Sequence, residues 1–296
     1  MNNISINISG RIDPEKVSVL REINDVAKEL NINFFVVGAF ARDVIFEHIH
    51  RISAPRMTED IDIGIEVASW EEFKRLTDTL IERVHFSPTN LPHRFSASSF
   101  PTLIDIVPYG GISDETKRIS WPPNHDMIMS ILGFEEAYQS ALNVRLSNEP
   151  PVEILVPSIP ALALLKIISW DDAYPKREHD AFDLLFILEK FESTDILNKL
   201  YESHVPLLTE EEFDPQFASV RLLGREIAQL GNTETLSTIE KILARETDED
   251  QGFRMLSHMV KGVSLQSIKF EKSLQLLRKL LQGIREEMRD ASENGF

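Results

Sequence analysis

The secondary structure that the chain favours changes once along its length, near residue 157. Before this point, helix-favouring segments alternate with short β-favouring runs at 31–37, 61–67, 102–107, 142–147 and 152–156. After Pro157, the apolar positions recur with the spacing of amphipathic helices. The sequence therefore predicts an α+β domain with a mixed β-sheet flanked by helices over 1–157, followed by an all-helical domain over 158–296.

The composition excludes several classes of function. The chain has 296 residues and a formal net charge of −17, which argues against a broad surface for binding nucleic acid. It contains no cysteine, so disulfides, thiolate catalysis and cysteine-bound zinc are excluded. No signal peptide is visible, and the longest apolar stretch, 159–170, is too short to cross a membrane. We expect a cytoplasmic protein that makes no membrane contact.

Two carboxylates stand two residues apart in one of the predicted strands. The segment reads Thr58-Glu-Asp-Ile-Asp-Ile-Gly-Ile, so that Asp60 and Asp62 flank Ile61. Side chains at this spacing project from the same face of a strand, where their charges repel each other. A divalent cation removes that repulsion, and Mg²⁺ prefers oxygen ligands of this kind. The pair therefore predicts a magnesium site, although most isolated Asp-x-Asp pairs are caps, turns or surface charge.

A third carboxylate has a similar setting in a later strand. Asp105 interrupts the apolar run Leu103-Ile-Asp-Ile-Val, where a buried charge needs a partner. If this strand lies beside 61–67, Asp105 joins Asp60 and Asp62. Three carboxylates could then hold two metal ions about 4 Å apart, as in two-metal phosphoryl transfer. Alternatively, Asp105 is an edge-strand residue that faces water.

A glycine at the end of the first predicted strand offers a place for phosphate. Gly38 follows an apolar run and opens a predicted helix over 39–50, whose first backbone N–H groups would point outward. Ala39 is small enough for close approach, and Arg42 lies in the first turn. Together, Gly38, Ala39 and Arg42 predict a binding site for a nucleoside triphosphate, although a lone glycine after a strand is usually only a turn.

In this order, the segments resemble the DNA polymerase β-type nucleotidyltransferase superfamily. The matching segments are Val36-Val-Gly-Ala-Phe-Ala-Arg-Asp, Thr58-Glu-Asp-Ile-Asp-Ile and Ile104-Asp-Ile. The resemblance implies a nucleotidyltransferase-type sheet domain, two Mg²⁺ ions with Mn²⁺ as an alternative, and an NTP substrate. One position departs from the superfamily pattern, because Ala39 stands where a second glycine or a serine is usual.

The chain downstream is similar to the AbiEii-like nucleotidyltransferase toxins of bacterial toxin–antitoxin systems. The matching segments are Leu164-Leu-Lys-Ile and Lys176-Arg-Glu-His-Asp-Ala-Phe-Asp-Leu-Leu. The resemblance implies that Lys166 contacts the triphosphate and that Asp180 orients a basic residue or helps to deprotonate the acceptor. Alternatively, Lys166 only extends its charge from an apolar helix, and Asp180 only pairs with Lys176.

The sequence thus predicts an enzyme that moves an NMP from an NTP to an acceptor hydroxyl. Its predicted catalytic residues are Asp60, Asp62, Asp105, Lys166 and Asp180. The resemblance implies an RNA 3′ end, such as that of tRNA, or a protein as acceptor, and a cognate antitoxin as partner. Two alternatives remain open: an antibiotic-type enzyme with a small-molecule acceptor, and a non-catalytic nucleotide-binding interaction protein.

Overall fold

The structure is a computed structural model that describes residues 5–56, 58–84, 86–97, 102–262 and 266–293. The chain forms two compact units, Met1–Ser158 and Ile159–Phe296. The first unit combines strands and helices, and the described part of the second contains helices but no strands. The predicted fold class, a mixed sheet with flanking helices followed by a helical region, is confirmed. Whether 1–157 and 158–296 act as functional domains stays a prediction.

The strands of the first unit are short, and several have too few residues to be predicted from the sequence pattern. Their bounds are β1 (Ile6–Asn7), β2 (Phe34–Val37), β3 (Ile61–Glu66), β4 (Phe86–Pro88), β5 (Arg94–Ala97), β6 (Leu103–Tyr109), β7 (Arg118–Ser120), β8 (Ile128–Ser130), β9 (Leu142–Asn148) and β10 (Pro151–Val156). The five predicted strands correspond to β2, β3, β6, β9 and β10. The other five have two to four residues each, too few for alternation to be recognised.

Helices flank the sheets of the first unit and build the described part of the second. Those of the first unit are α1 (Pro14–Leu30), α2 (Gly38–Asp43), α3 (Trp70–Val84) and α4 (Phe134–Gln139). Those of the second are α5 (Ile159–Asp172), α6 (Glu178–Lys190), α7 (Ile196–Ser203), α8 (Val205–Glu210), α9 (Pro215–Leu230), α10 (Thr233–Glu246), α11 (Arg254–Met259) and α12 (Gln266–Glu293).

The predicted helix over 39–50 changes its geometry halfway. It begins as α2 and continues directly as a π-helix, Val44–Ile49. Three consecutive apolar side chains in this wider turn, Val44, Ile45 and Phe46, are all buried. Single π-turns inside helices are rare and are found often near functional sites.

The main sheet places the predicted strands next to one another. Its strand order is β2-β3-β6-β5-β4, in which β2 runs antiparallel to β3 and β3 runs parallel to β6. Two smaller sheets, β1-β9-β10 and β7-β8, complete the described part of the unit. The central strand β3 buries Ile61, Ile63 and Ile65 completely. Because side chains alternate along a strand, its acidic residues face away from this core.

Two glycines bring the long helices of the second unit into close contact. A Cβ atom at Gly224 of α9 would lie 2.2 Å from the carbonyl oxygen of Leu280 in α12. A Cβ atom at Gly283 of α12 would lie 2.0 Å from the carbonyl oxygen of Arg221 in α9. The helix backbones therefore touch at this crossing, and any larger residue forces them apart.

Along the described part of the chain, no helix is both long and apolar enough to cross a membrane.

The substitutions Gly224→Ala and Gly283→Ala test this crossing. Glycine to alanine inside a helix normally raises stability by about 0.5–1 kcal/mol. Here we expect each change to lower the free energy of unfolding by about 1–3 kcal/mol, because the added methyl group overpacks the contact. Urea denaturation measures the difference, and a stabilised variant would show that the backbones do not touch.

Candidate functional site

Two of the predicted carboxylates lie side by side in neighbouring parallel strands. In the register of β3 and β6, Asp62 is the direct partner of Asp105, and Ile61 is the partner of Ile104. Asp60 immediately precedes β3, two residues before Asp62. The first unit therefore brings the three acidic residues of the predicted metal site to one face of the main sheet. Adjacent carboxylates of this kind repel each other unless a positive charge lies among them.

An arginine that the sequence analysis missed supplies a positive charge at this place. Arg94 of β5 is the register partner of Asp105, and its guanidinium group binds both carboxylate oxygens of Asp105 at 2.7 Å. The same group donates to Oδ2 of Asp60 at 3.3 Å. These hydrogen bonds to Asp105 raise the pKa of Arg94 further above its ordinary value, and the charges of Asp105, Asp60 and Asp62 act in the same direction. Arg94 therefore bridges two of the three predicted ligands.

Gly38 lies against Asp62, and its lack of a side chain is essential there. The residue adopts a left-handed backbone conformation, with φ of +70°. A Cβ atom at this position would come within 2.0 Å of Oδ2 of Asp62. Val37, which precedes Gly38, is the register partner of Asp62 across β2 and β3. The predicted phosphate-binding glycine and the predicted metal ligand are thus direct neighbours.

The two other predicted phosphate-binding residues are buried. Ala39 is buried in the first turn of α2, and the side chain of Arg42 has no exposed surface. The Arg42 guanidinium donates to Oδ1 of Asp43 and to the backbone carbonyl of Arg56, at 3.0 Å for the latter. It therefore ties α2 to the segment that leads towards Asp60. This placement gives no support to a phosphate contact by Arg42, which stays a prediction.

A lysine from α1 adds a second positive charge beside the acidic residues. Lys16 donates to the backbone carbonyl of Thr58 at 2.6 Å, and its ammonium lies 5.0 Å from the ring centroid of Phe40. Burial lowers the pKa of Lys16, and the nearby charges of Asp43, Asp13 and Asp60 oppose this effect. Lys16 thus holds the segment that precedes Asp60, a role that no local sequence pattern indicates.

The second unit contains the other predicted residues in a buried ionic cluster. Lys166 of α5 donates to Oδ1 of Asp180 and Oδ2 of Asp183 of α6, both at 2.7 Å. Arg177 also donates to Asp180. Burial disfavours the charged forms of Lys166 and Asp180, but their attraction outweighs it, so that the pKa of Lys166 is raised and that of Asp180 is lowered. The cluster links Lys166 with Asp180, as the resemblance implies, and adds Asp183 as a second partner.

The chemistry of the acidic residues suits a hard divalent cation. Within the described ranges, however, no group of three or more acidic or histidine side chains is arranged to hold a metal ion. The guanidinium of Arg94 instead donates to both oxygens of Asp105 and to Oδ2 of Asp60. The donor set of Asp60, Asp62 and Asp105 consists entirely of carboxylate oxygens, which are ligands of the type Mg²⁺ prefers. In the chemistry of their donor atoms, the three residues therefore fit this ion.

The family model described as nucleotidyl transferase AbiEii toxin of type IV toxin–antitoxin systems matches residues 26–275. The chain belongs to this family, which confirms the resemblance and identifies it as a nucleotidyltransferase enzyme. No curated relative matches the chain.

Several solved structures are similar to the chain at low identity. The solution structure of the antibiotic-resistance factor ANT(2″)-Ia is 14% identical, with 68% of this chain and 98% of that one covered and a TM-score of 0.34. The apo form I of a CCA-adding enzyme is 15% identical, with 96% and 83% covered and a TM-score of 0.31. The Thermotoga maritima CCA-adding enzyme in complex with tRNA is also 15% identical, with 96% and 84% covered and a TM-score of 0.25. Nothing about substrates follows from likenesses this low.

The contact between Gly38 and Asp62 can be tested against a matched glycine. Gly38→Ala places a methyl group on the Asp62 carboxylate, whereas Gly10, with φ of +76°, has no atom within 4 Å of an added Cβ. Both alanines bear the left-handed backbone cost of about 1–2 kcal/mol. We expect Gly38→Ala to lower the free energy of unfolding by about 1–3 kcal/mol more than Gly10→Ala, since only the former overpacks its surroundings. Equal losses in urea denaturation would contradict the contact.

The buried cluster predicts an unusual pH dependence for Lys166→Met. In the wild type, the pKa of Asp180 is lowered, so its contribution to stability is present above the unfolded pKa of about 3.9 and is lost as the pH falls through the folded pKa. Lys166→Met removes the lysine that lies between two buried carboxylates, which costs about 3–5 kcal/mol at neutral pH. Protonation relieves this cost, so the variant gains stability as the pH falls from 7 to 5.

The exposed Lys176 provides the control for this experiment. Lys176→Met removes a lysine four residues before Asp180, the alternative partner suggested by the sequence, without touching the buried cluster. Its free energy of unfolding should follow the wild-type pH profile in urea titrations at several pH values. A wild-type profile for Lys166→Met as well would show that Lys166 does not compensate the buried carboxylates.

Proposed function

We propose that this nucleotidyltransferase transfers an NMP from an NTP to the hydroxyl of a macromolecular acceptor in a Mg²⁺-dependent reaction. The observation that carries the proposal is the register pairing of Asp62 with Asp105 immediately beside Gly38. This arrangement puts paired oxygen ligands next to a glycine whose backbone can approach a phosphate closely. Mg²⁺, when bound, would neutralise the charge of the triphosphate and polarise its reacting phosphoryl group.

Each residue of the candidate site has a proposed role in this reaction. Asp60, Asp62 and Asp105 would bind Mg²⁺, and Asp105 would in addition accept or favour loss of the acceptor's hydroxyl proton. The backbone at Gly38 and Ala39 would bind the phosphates. The acceptor oxygen attacks the α-phosphorus, the bond to the bridging oxygen breaks, and pyrophosphate leaves. The contribution of the protein is mainly orientation and charge compensation.

We propose a triphosphate contact for Lys166 on the strength of the family resemblance, and a positioning role for the buried ionic cluster around it. Two carboxylates within 2.7 Å of the ammonium hold it in one position and keep it charged despite its burial. Asp180 would therefore orient Lys166, and Arg177, which is half exposed and bound to Asp180, would extend the positive charge outward. A lysine suits this role because its ammonium is a compact charge that attracts phosphate oxygens.

We propose an RNA 3′ end, such as that of tRNA, or a protein side chain as acceptor. The family to which the chain belongs is described as a toxin of toxin–antitoxin systems, which supports a macromolecular target and a cognate antitoxin as partner. The net charge of −17 restricts an RNA acceptor to a small contact area. The cytoplasm, which supplies NTPs and needs no disulfides, is the proposed place of action.

Replacement of Asp62 tests the proposed function. Wild-type protein, Asp62→Asn and the control Asp78→Asn are incubated with each α-³²P-labelled NTP and Mg²⁺. Total tRNA, total protein and small metabolites from a bacterial extract are offered as separate acceptors. We expect label in RNA or protein with the wild type and the control, since Asp78 is an exposed residue paired with Lys74. For Asp62→Asn we expect a loss on the order of 10²-fold or more, because a group that acts on the reacting charge is removed.

The acceptor fraction that carries the label decides between the alternatives. Label confined to the small metabolites would replace the proposed acceptor with one of antibiotic type. Retention of nucleotide without any labelled product would indicate a binding protein. Equal labelling by Asp62→Asn and the wild type would refute the assignment of Asp62.

A further inference from the structure

The guanidinium of Arg94 occupies the place where the proposed metal ion would bind. Its Nε and Nη2 atoms lie 2.7 Å from the two oxygens of Asp105, and Nη2 lies 3.3 Å from Oδ2 of Asp60. The side chain of Asp105 is 12% exposed and that of Arg94 is 30% exposed, so the fork between them is largely shielded from water. Such a bidentate contact satisfies a carboxylate about as fully as one side chain can.

A divalent ion and this guanidinium cannot use the same carboxylates together. Mg²⁺ binds carboxylate oxygens at about 2.1 Å. An ion at this distance requires the hydrogen-bond donors of Arg94 to move away. The two positive groups would also repel each other within a few ångströms. Lys16 does not replace Arg94, because its ammonium donates to the carbonyl of Thr58. The acidic residues are therefore compensated either by Arg94 or by metal.

We propose that Arg94 is a built-in counter-ion that competes with the divalent metal ion for Asp60 and Asp105, so that metal binds only when the Arg94 side chain withdraws. The inference rests on the proposed function, because it concerns the same carboxylates. Arg94 is a positioning residue, which keeps the like charges of β3 and β6 together while metal is absent. The side chain of Arg94 is 30% exposed and belongs to β5, which lies near the edge of the main sheet. This long side chain therefore has room to move outward.

A purely structural role for Arg94 makes the opposite prediction. If Arg94 only fastened β5 to β6, its loss would loosen Asp105 and weaken metal binding or leave it unchanged. If Arg94 competes with metal, its replacement by a neutral residue must strengthen metal binding. The sign of the change therefore separates the two roles, and the measurement needs neither nucleotide nor acceptor.

The experiment titrates Mn²⁺ into the full chain and follows free Mn²⁺ by electron paramagnetic resonance. We expect Arg94→Gln to lower the Kd for Mn²⁺ by tenfold or more relative to the wild type. The control Arg83→Gln removes an exposed arginine of the same unit that pairs with Glu29, and its affinity should equal that of the wild type. The double variant Arg94→Gln with Asp60→Asn should lose the gain, which places the ion at Asp60 rather than elsewhere on an acidic surface.

Thermal denaturation gives a second, independent measurement. With EDTA, Arg94→Gln should melt at a lower temperature than the wild type, because Asp60 and Asp105 lose their counter-ion. Mn²⁺ should raise the Tm of Arg94→Gln more than that of the wild type, since at equal free concentration a tighter-bound ligand stabilises the folded state more. Arg94→Lys keeps one charge but loses the fork, so its Kd should lie between the other two. It serves as the test if Arg94→Gln does not fold.

The outcomes distinguish this inference from the proposed function. Equal or weaker Mn²⁺ binding by Arg94→Gln, or a gain that persists in the double variant, would overturn the competition. Tighter Mn²⁺ binding that depends on Asp60 would support it, even if no acceptor is ever labelled. In that case the metal site would stand and the proposed reaction would fail.

Discussion

The first unit depends on how it compensates two negative charges that its sheet forces together. The parallel register of β3 and β6 puts Asp62 directly beside Asp105, and both strands are fixed by the buried isoleucines on their other face. Sliding one strand by a residue would turn those isoleucines outward, so the carboxylates cannot separate without loss of the core. Three features accommodate the carboxylates under this constraint: the positive charge of Arg94, that of Lys16 and the absence of a side chain at Gly38.

The second unit uses ionic compensation in a different way. Lys166 and Asp180 are buried in the helical interior, where the attraction to their charged partners outweighs the cost of burying each ion. At the carboxylates of the first unit, by contrast, Asp60 is 38% exposed, so that water and solutes can reach it. An ionic cluster that is buried keeps its geometry, whereas one that is exposed to solvent can exchange its partners. This difference agrees with a positioning task for the former and a binding task for the latter.

The sequence was sufficient for the parts of the structure that leave a local pattern. The apolar pattern predicts β2, β3, β6 and the helical character of the second unit, and the Asp-x-Asp spacing indicates the acidic face of β3. Arg94 could not be found in this way, because the four residues of β5 form no continuous apolar run and its partner Asp105 lies eleven residues further along the chain. The surroundings of Arg42 were equally invisible to local reasoning. Its place in the first turn suggested phosphate, but the fold buries its guanidinium against Asp43. The roles of the predicted site residues stay predictions.

The π-helical turn after α2 has a consequence for how this chain can vary. The wider turn holds one more residue than an α-helical turn, and its Val44, Ile45 and Phe46 are buried, as are the residues of α2 before them. Exchange of one apolar residue for another preserves this arrangement. Gain or loss of a single residue would rotate everything that follows by about 100° around the helix axis. Across homologues, the segment Val44–Ile49 should therefore vary in amino-acid identity but not in length.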